Sequence, residues 1–376
     1  MSLRLSRITL REIRMTLREP FEISSGRTTG RRILLLELED TDGATTWSEC
    51  VAGERPNFSA ETIDTAWLAL TDWIAPRTLG ASISHPNTID GMLRRGIRGH
   101  PMAKAAVEMG AWALWAERER TSLSRLLGGT RRAIATGISI GIQDSPQALV
   151  DKARESLALG YRKIKVKIRP GADIEYIGAA REALGPDAPL MADANSAYTL
   201  GHAEHLADLD AYRLLMIEQP LAQDDLRRHA RLQDRLETPI CLDESIPHVA
   251  AAEDMLALGA GRIVNIKPGR VGGFTQARAI HDLCQHHAVP VWCGGMLESG
   301  IGRAHNVALA SLPNFTLPGD VSPSARYWTE DVVTPEWTMD SAGMVTVPVD
   351  RPGLGVAVNA DRIDDLTVRT RTITAD

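Results

Sequence analysis

The sequence predicts an α/β protein, a closed barrel of alternating strands and helices preceded by a smaller α+β unit. Three observations predict it. From about residue 134 onward, short apolar runs recur roughly every 25 residues with helical segments between them, which is the pattern of βαβ units and a parallel sheet. Eight such runs occur and no GxGxxG turn follows the first, favouring closure over an open doubly wound sheet. Residues 1–128 instead place strand-like runs before helical ones.

In the first unit, strand-like runs at 3–14, 31–39 and 44–50 precede helical stretches near 60–75 and 101–118. In the barrel, 129–325, the runs are ATGISIGI (135–142), KIKVKI (163–168), PLMADA (189–194), LLMIEQ (214–219), PICLDE (239–244), RIVNIK (262–267), PVWCGG (290–295) and FTLPGD (315–320). Gly160, Gly185, Pro239, Gly259 and Pro290 supply helix stops between them. The tail, 326–376, holds short strand-like pieces and no further βα unit, and is expected to return to the first unit.

Composition narrows the function classes. With 376 residues the chain exceeds one typical domain, and 44% hydrophobic with 24% charged residues suits a soluble protein with a large core. The net charge of −6 comes from interspersed acids and bases, which argues against nucleic acid as the main partner. No apolar stretch approaches the roughly 18–20 residues of a membrane span. The start, MSLRLSRITLREIRM, alternates like a strand rather than a signal peptide. Cys50, Cys241, Cys284 and Cys293 form no CxxC pair, so neither a zinc ribbon nor a disulfide framework is indicated, and a reduced, cytoplasmic protein is expected.

Active sites of such barrels sit at the C-terminal ends of the strands. There the sequence puts Asp193, Glu218 and Asp243, 25 and 25 residues apart, then Lys267 after another 24. A single Asp could serve as an N-cap for the next helix. Three carboxylates in register on adjacent strands crowd negative charge and call for a cation. Oxygen ligands alone suit octahedral Mg²⁺ and, without His or Cys, count against zinc.

KIKVKI alternates, with Ile164, Val166 and Ile168 on one face and Lys163, Lys165 and Lys167 on the other. In a closed barrel the apolar face meets the helices, so the lysines point inward. Lys163, nearest the strand start, reaches either solvent at the far end or a buried carboxylate and is given no chemistry. Lys165 and Lys167 sit beside the expected metal. A lysine is a base only when neutral, and neighbouring cations push it that way. Lys167 and Lys267, on opposite sides of a bound carboxylate substrate, could remove and return an α-proton through an enediolate steadied by Mg²⁺.

These residues resemble the enolase superfamily, whose members use a Lys base and an Mg²⁺-stabilised ene-diolate. The subgroup resembled is that of muconate-lactonising enzymes, and within it the N-acylamino acid (N-succinylamino acid) racemase and o-succinylbenzoate synthase family. The resemblance rests on GHPMAKAAVEM (99–109), MADANSAYTL (191–200), IEQPL (217–221), PICLDES (239–245), NIKPGRVGG (265–273), VWCGGMLESGIGRAHN (291–306) and NFTLPGD (314–320). It implies a modified TIM barrel, (β/α)7β, under an N-terminal α+β capping domain. It implies Asp193, Glu218 and Asp243 as Mg²⁺ ligands, with Mn²⁺ or Co²⁺ able to substitute, Lys167 and Lys267 as acid/bases, and Lys165 as an electrostatic aid. Ser139 resembles the residue holding the acyl side of the substrate. Asn195 and Glu244 look like groups ordering the ligands, and Gly294, Gly295 and Met296 look like the acyl-pocket wall.

The family's capping domain covers the barrel mouth with two loops. PFEISSGR (20–27) resembles the first, with Phe21 as an apolar wall or as plain interdomain packing. VAGERPNFSAE (51–61) fits the second less well, since Glu54 and Arg55 bring charge to a generally apolar loop. Dipeptide epimerases of the subgroup carry Asp-x-Asp at the last strand. Here the sequence is PGDVS, leaving Asp320 alone for a substrate amine. Cycloisomerases share the lysines. A different class, a Schiff-base barrel aldolase, needs one lysine and no ring of acids, and borohydride trapping separates it. Racemase and synthase pass through the same enediolate; neighbouring menaquinone-biosynthesis genes would favour the synthase. The expected partners are a small carboxylate substrate and further copies of the chain, with neither nucleic acid nor membrane.

Overall fold

The computed structural model describes residues 2–375. The N-terminal sheet is antiparallel, in the order Thr367–Thr374, Leu5–Ile23, Gly26–Asp40, Thr45–Cys50. Alternation builds it, with slips. Leu5, Ile8, Leu10, Ile13 and Met15 are buried, and the two changes of parity fall where the ladders to the neighbouring strands shift register. Leu5, Ile8 and Leu10 enter the core of this unit, whereas Ile13, Met15 and Leu17 enter the barrel core. One strand thus serves both cores.

The first two strands run well past the expected 3–14 and 31–39, and residues 20–27 form the tip of their hairpin, pairing Phe21 with Thr28 and Ile23 with Gly26. The tip lies on the barrel, where the Ile142 amide donates to Glu22 O at 2.9 Å. Helix Pro101–Arg118 is buried almost all round because it lies between sheet and barrel. Two carboxylates of this unit cap barrel helices. Glu108 accepts from the Phe274 and Thr275 amides (2.7 and 2.9 Å), where Gly273 offers helix Phe274–His286 no side-chain cap. Glu49 accepts from the Ser299 and Gly302 amides (3.0 and 3.2 Å) at helix Gly300–Ala310.

Seven parallel strands follow in consecutive order: Ile138–Ile140, Ile164–Lys167, Leu190–Asp193, Ile217–Glu218, Ile240–Leu242, Ile263–Ile266 and Val291–Cys293. The glycine and proline stops fall where expected, for example Gly185 after Ile174–Leu184 (φ 85°) and Gly259 after Val249–Leu258 (φ 67°). The first run splits. Ala133–Ala135 pairs with Met344–Thr346, and only Ile138–Ile140 joins the barrel. The eighth run, FTLPGD, does not form a strand. Pro318 has no N–H to give a ladder, and closure is left to one bridge between Thr136 and Gly319 and to the Asp320 amide on Cys293 O at 2.8 Å. Inside, Met191, Met216, Cys241, Ile263 and Trp292 form an apolar floor, one inward layer below the strand ends. Among the described residues no helix is long and apolar enough to cross a membrane, and all four cysteines are free and buried.

Candidate active site

Strand register assembles the acids. Lys167 pairs with Asp193 and Asp193 with Glu218 on neighbouring strands, and Asp243 follows the next strand by one residue. All three carboxylates are buried, at 1% exposure or less. Asp193 Oδ2 accepts from Lys167 Nζ at 2.6 Å and lies 3.2 Å from Lys165 Nζ. Glu218 Oε2 accepts from Lys165 Nζ at 3.2 Å, and its Oε1 accepts from Asn265 Nδ2 at 2.7 Å. Asp243 Oδ2 accepts from Lys267 Nζ at 2.6 Å, with Arg270 Nε 2.9 Å from Oδ1. Asn195 ties the row together, accepting from Lys167 Nζ at 2.7 Å and donating to Glu244 Oε1 at 3.2 Å. Asn195, Ser196 and Gln219 hold left-handed backbone (φ 43°, 63° and 39°), strain of the kind that collects at functional sites.

The charges work against one another as burial dictates. Burial and the neighbouring Asp193 push the Glu218 carboxyl up to about 8, and burial with Asp243 does the same for Glu244. Burial alone would lower Lys165 and Lys267. Asp320, Glu218 and Asp193 outweigh it for Lys165, and Asp243, Glu218 and Glu244 for Lys267, so both are held above the ordinary lysine value. Lys165, expected to act as a cation beside Lys167 and the substrate carboxylate, is thus itself held in its charged form, because acids outnumber lysines around it. Among the described residues no three acidic, histidine or cysteine side chains form a finished metal cage; each carboxylate faces an ammonium instead. The donor set still fits a hard divalent cation. It is all oxygen, it is buried, and Glu218 carries the like-charge strain that a cation would relieve.

The lysines that cover the row, rather than its three carboxylates, line a cleft of about 850 Å³, part of it open to solvent, within the usual size of a small-molecule site. Lys165, Lys167, Lys267, Asn195, Ser139, Phe21, Gly295, Met296 and Asp320 line it. Ser139 Oγ is buried without a hydrogen-bond partner among the described residues. Gly294, expected in the acyl-pocket wall, is not among the residues lining the cleft; a Cβ there would come within 2.4 Å of the Asn265 side-chain amide and 2.7 Å of Lys267 Cε, so a glycine leaves room for both side chains. Of the charged pair in the second loop, Arg55 lines the cleft, whereas Glu54 is exposed and does not. Asp320, expected to be open to a substrate amine, has Lys165 Nζ 2.5 Å from Oδ2 and Lys163 Nζ 3.2 Å from Oδ1. Lys163 is thus fully buried on a carboxylate and does not reach solvent.

Sequence reasoning missed Asn265, Arg270, Trp292, Arg31 and Phe58. Asn265 was within reach, since it stands two residues before Lys267 on the same strand and faces the same way. Phe58, whose ring lies 4.4 Å from Lys267 Nζ, and Arg31, which lines the cleft from the second strand, carried no such signal.

Comparison with known proteins gives a consistent relationship. Residues 6–128 match the family "Mandelate racemase / muconate lactonizing enzyme, N-terminal domain", and residues 148–362 match "Enolase C-terminal domain-like". The chain is 47% identical to an o-succinylbenzoate synthase of Geobacillus stearothermophilus over 98% of this chain and 97% of that one. It is 46% identical to an N-succinylamino acid racemase of an Amycolatopsis species over 97% and 98%. A crystal structure of an enolase-superfamily member from Listeria innocua superposes with a TM-score of 0.95 at 37% identity, covering both chains fully.

Proposed function

The chain belongs to the mandelate racemase / muconate lactonizing enzyme family of the enolase superfamily, and we propose that it is an N-succinylamino acid racemase, an o-succinylbenzoate synthase, or both. One observation carries the reading: Lys167 and Lys267 flank a row of three buried carboxylates and face one cleft.

Enzymes of this family depend on a divalent metal. We take it to be Mg²⁺, with Mn²⁺ or Co²⁺ as substitutes, held by Asp193, Glu218 and Asp243. When bound, it offsets the charge that builds on the substrate carboxylate and takes over from the lysines the balancing of these acids. The protein does the rest. A neutral lysine on one side takes the α-proton, and the C–H electron pair enters the carboxylate to give an enediolate. Lys165 lies beside that developing charge. For racemisation the opposite lysine returns a proton to the other face. For the synthase the lysine that took the proton gives it to the departing hydroxyl, which leaves as water. Phe21 and Phe58 line the cleft and would shield a bound substrate from solvent.

The acyl arm is read from the remaining charged lining. Arg31 and Arg55 face the cleft with Glu61, and Glu61 is occupied by the Met102 and Ala103 amides at 2.8 and 2.9 Å. That balance favours an arm ending in a carboxylate, as succinyl does. The test is substrate competition after metal reconstitution. N-succinylamino acids or the synthase substrate should turn over with Mg²⁺ and stop with chelator, while free dipeptides turn over poorly. Full activity after verified metal removal, or preference for dipeptides, defeats the reading.

A further inference from the structure

Lys163 takes no part in the proton transfers above, yet it is fully buried in the barrel. Its Nζ lies 3.4 Å from the centroid of the Trp292 ring and 3.2 Å from Asp320 Oδ1. Lys165 Nζ lies 4.9 Å from the same ring and 2.5 Å from the other oxygen, Oδ2. Each oxygen of this buried carboxylate is therefore ion-paired with a different ammonium group, Oδ1 by charge and proximity alone, without hydrogen-bond geometry among the described residues. The surroundings leave little freedom. The Asp320 amide donates to Cys293 O at 2.8 Å, and its carbonyl accepts from Arg303 Nη1 at 2.9 Å. The stem of Lys163 runs along Gly137, where a Cβ would come within 2.8 Å of both its Cβ and its Cε. A buried ammonium is tolerated only when paired and well placed, and a ring face adds attraction when desolvated.

We infer that Lys163 is a positioning and specificity residue: by taking one oxygen of Asp320 it aims the other at Lys165 and leaves no free carboxylate for a substrate ammonium group. This rests on the proposed roles of the site lysines. The lone aspartate at the end of the barrel is then part of the catalytic scaffold, and amine-bearing substrates are refused because its charge is already matched. A neutral side chain at 163 would leave Oδ1 without its partner and Lys165 without a fixed anchor.

The test compares Lys163→Met, which keeps length without charge, with Lys163→Arg, which keeps charge. N-succinyl-L-phenylalanine serves as substrate and L-Ala-L-Phe as competitor, both on the Mg²⁺-loaded enzyme. Lys163→Met should lose about 10²-fold in kcat, the scale of a roughly 1 Å misplacement, with KM changing only a few-fold. The dipeptide should inhibit it about ten-fold more tightly than wild type. Lys163→Arg should recover most of kcat and exclude the dipeptide again. Wild-type kcat in Lys163→Met, or a loss that Lys163→Arg does not repair while dipeptide inhibition stays unchanged, overturns the inference. If Lys163→Met does not fold, Lys163→Met/Asp320→Asn removes both charges together. Its kcat should match Asp320→Asn alone within a few-fold, and a further ten-fold loss overturns the inference. Lys167→Ala keeps the two questions apart, since α-proton exchange of both N-succinylphenylalanine enantiomers at wild-type rates in that variant defeats the underlying enzyme reading and says nothing against Lys163.

Discussion

At the scale of single residues, the site is a set of charges that only burial makes expressive. Lys167 holds Asp193 and Lys267 holds Asp243, each at 2.6 Å, with Glu218 between them. If they serve opposite faces of the α-carbon, wild-type enzyme in D₂O should wash deuterium into both enantiomers of an N-succinylamino acid. Lys167→Ala and Lys267→Ala should each lose net racemisation by roughly 10²–10⁴-fold, with residual exchange confined to one enantiomer, a different one in each variant. Mass spectrometry of the separated enantiomers checks this, and exchange of both at near wild-type rates by either variant would refute two-base geometry. Asp193→Asn, Glu218→Gln and Asp243→Asn should each weaken Mn²⁺ binding at least ten-fold by calorimetry while circular dichroism stays unchanged. Unaltered affinity in all three would remove them as ligands.

At the scale of elements, the two units are joined by carboxylates placed at helix starts. Glu108 accepts four hydrogen bonds, from the Phe274 and Thr275 amides, Thr275 Oγ1 and Trp112 Nε1. Burial nevertheless raises its carboxyl to about 7 from an ordinary 4.5. A carboxyl raised in the folded state binds its proton more tightly there than in the unfolded chain. Its contribution is therefore fully present below the unfolded value and is lost as pH rises through about 7. Glu108→Gln should flatten the decline of stability between about pH 5 and 7, read from urea unfolding at several pH values. A slope identical to wild type would show that the carboxyl titrates alike in both states. Glu108→Ala should destabilise by about 1–3 kcal/mol, since it leaves helix-end donors buried and unmet.

At the scale of the whole molecule, the chain's two ends meet in one sheet. Strand Thr367–Thr374 pairs with the Leu5–Ile23 strand from Arg7 to Ile13. Its own side chains are mostly exposed, so its main work is to cover an edge. Removing residues 367–376 should therefore promote association, visible as a larger species in light scattering, and lower the unfolding temperature. The activity of the protein that stays unassociated should remain near wild type, because the cleft is built at the hairpin tip and not at this edge. A truncated chain that stays monodisperse with an unchanged transition would argue against that role.

Much of this was legible in the chain itself. Periodicity of strand and helix, with Gly185 and Gly259 as stops, determined the parallel barrel, because local backbone preferences and the alternation of faces act over a few residues. The 25-residue spacing of Asp193, Glu218 and Asp243 determined that three acids share one level, because neighbouring strands of a barrel repeat the same geometry. Other features were decided only by the tertiary structure. That Lys163 and Lys165 divide Asp320 between them, that Gly294 leaves room for Asn265 and Lys267, and that Pro318 reduces the last strand to a bridge all depend on contacts across the barrel interior. The direction in which Lys165 is shifted belongs here too. Sequence determines which groups carry charge; which charges face one another at 2.5–3.2 Å without water between them is set by how the strands close.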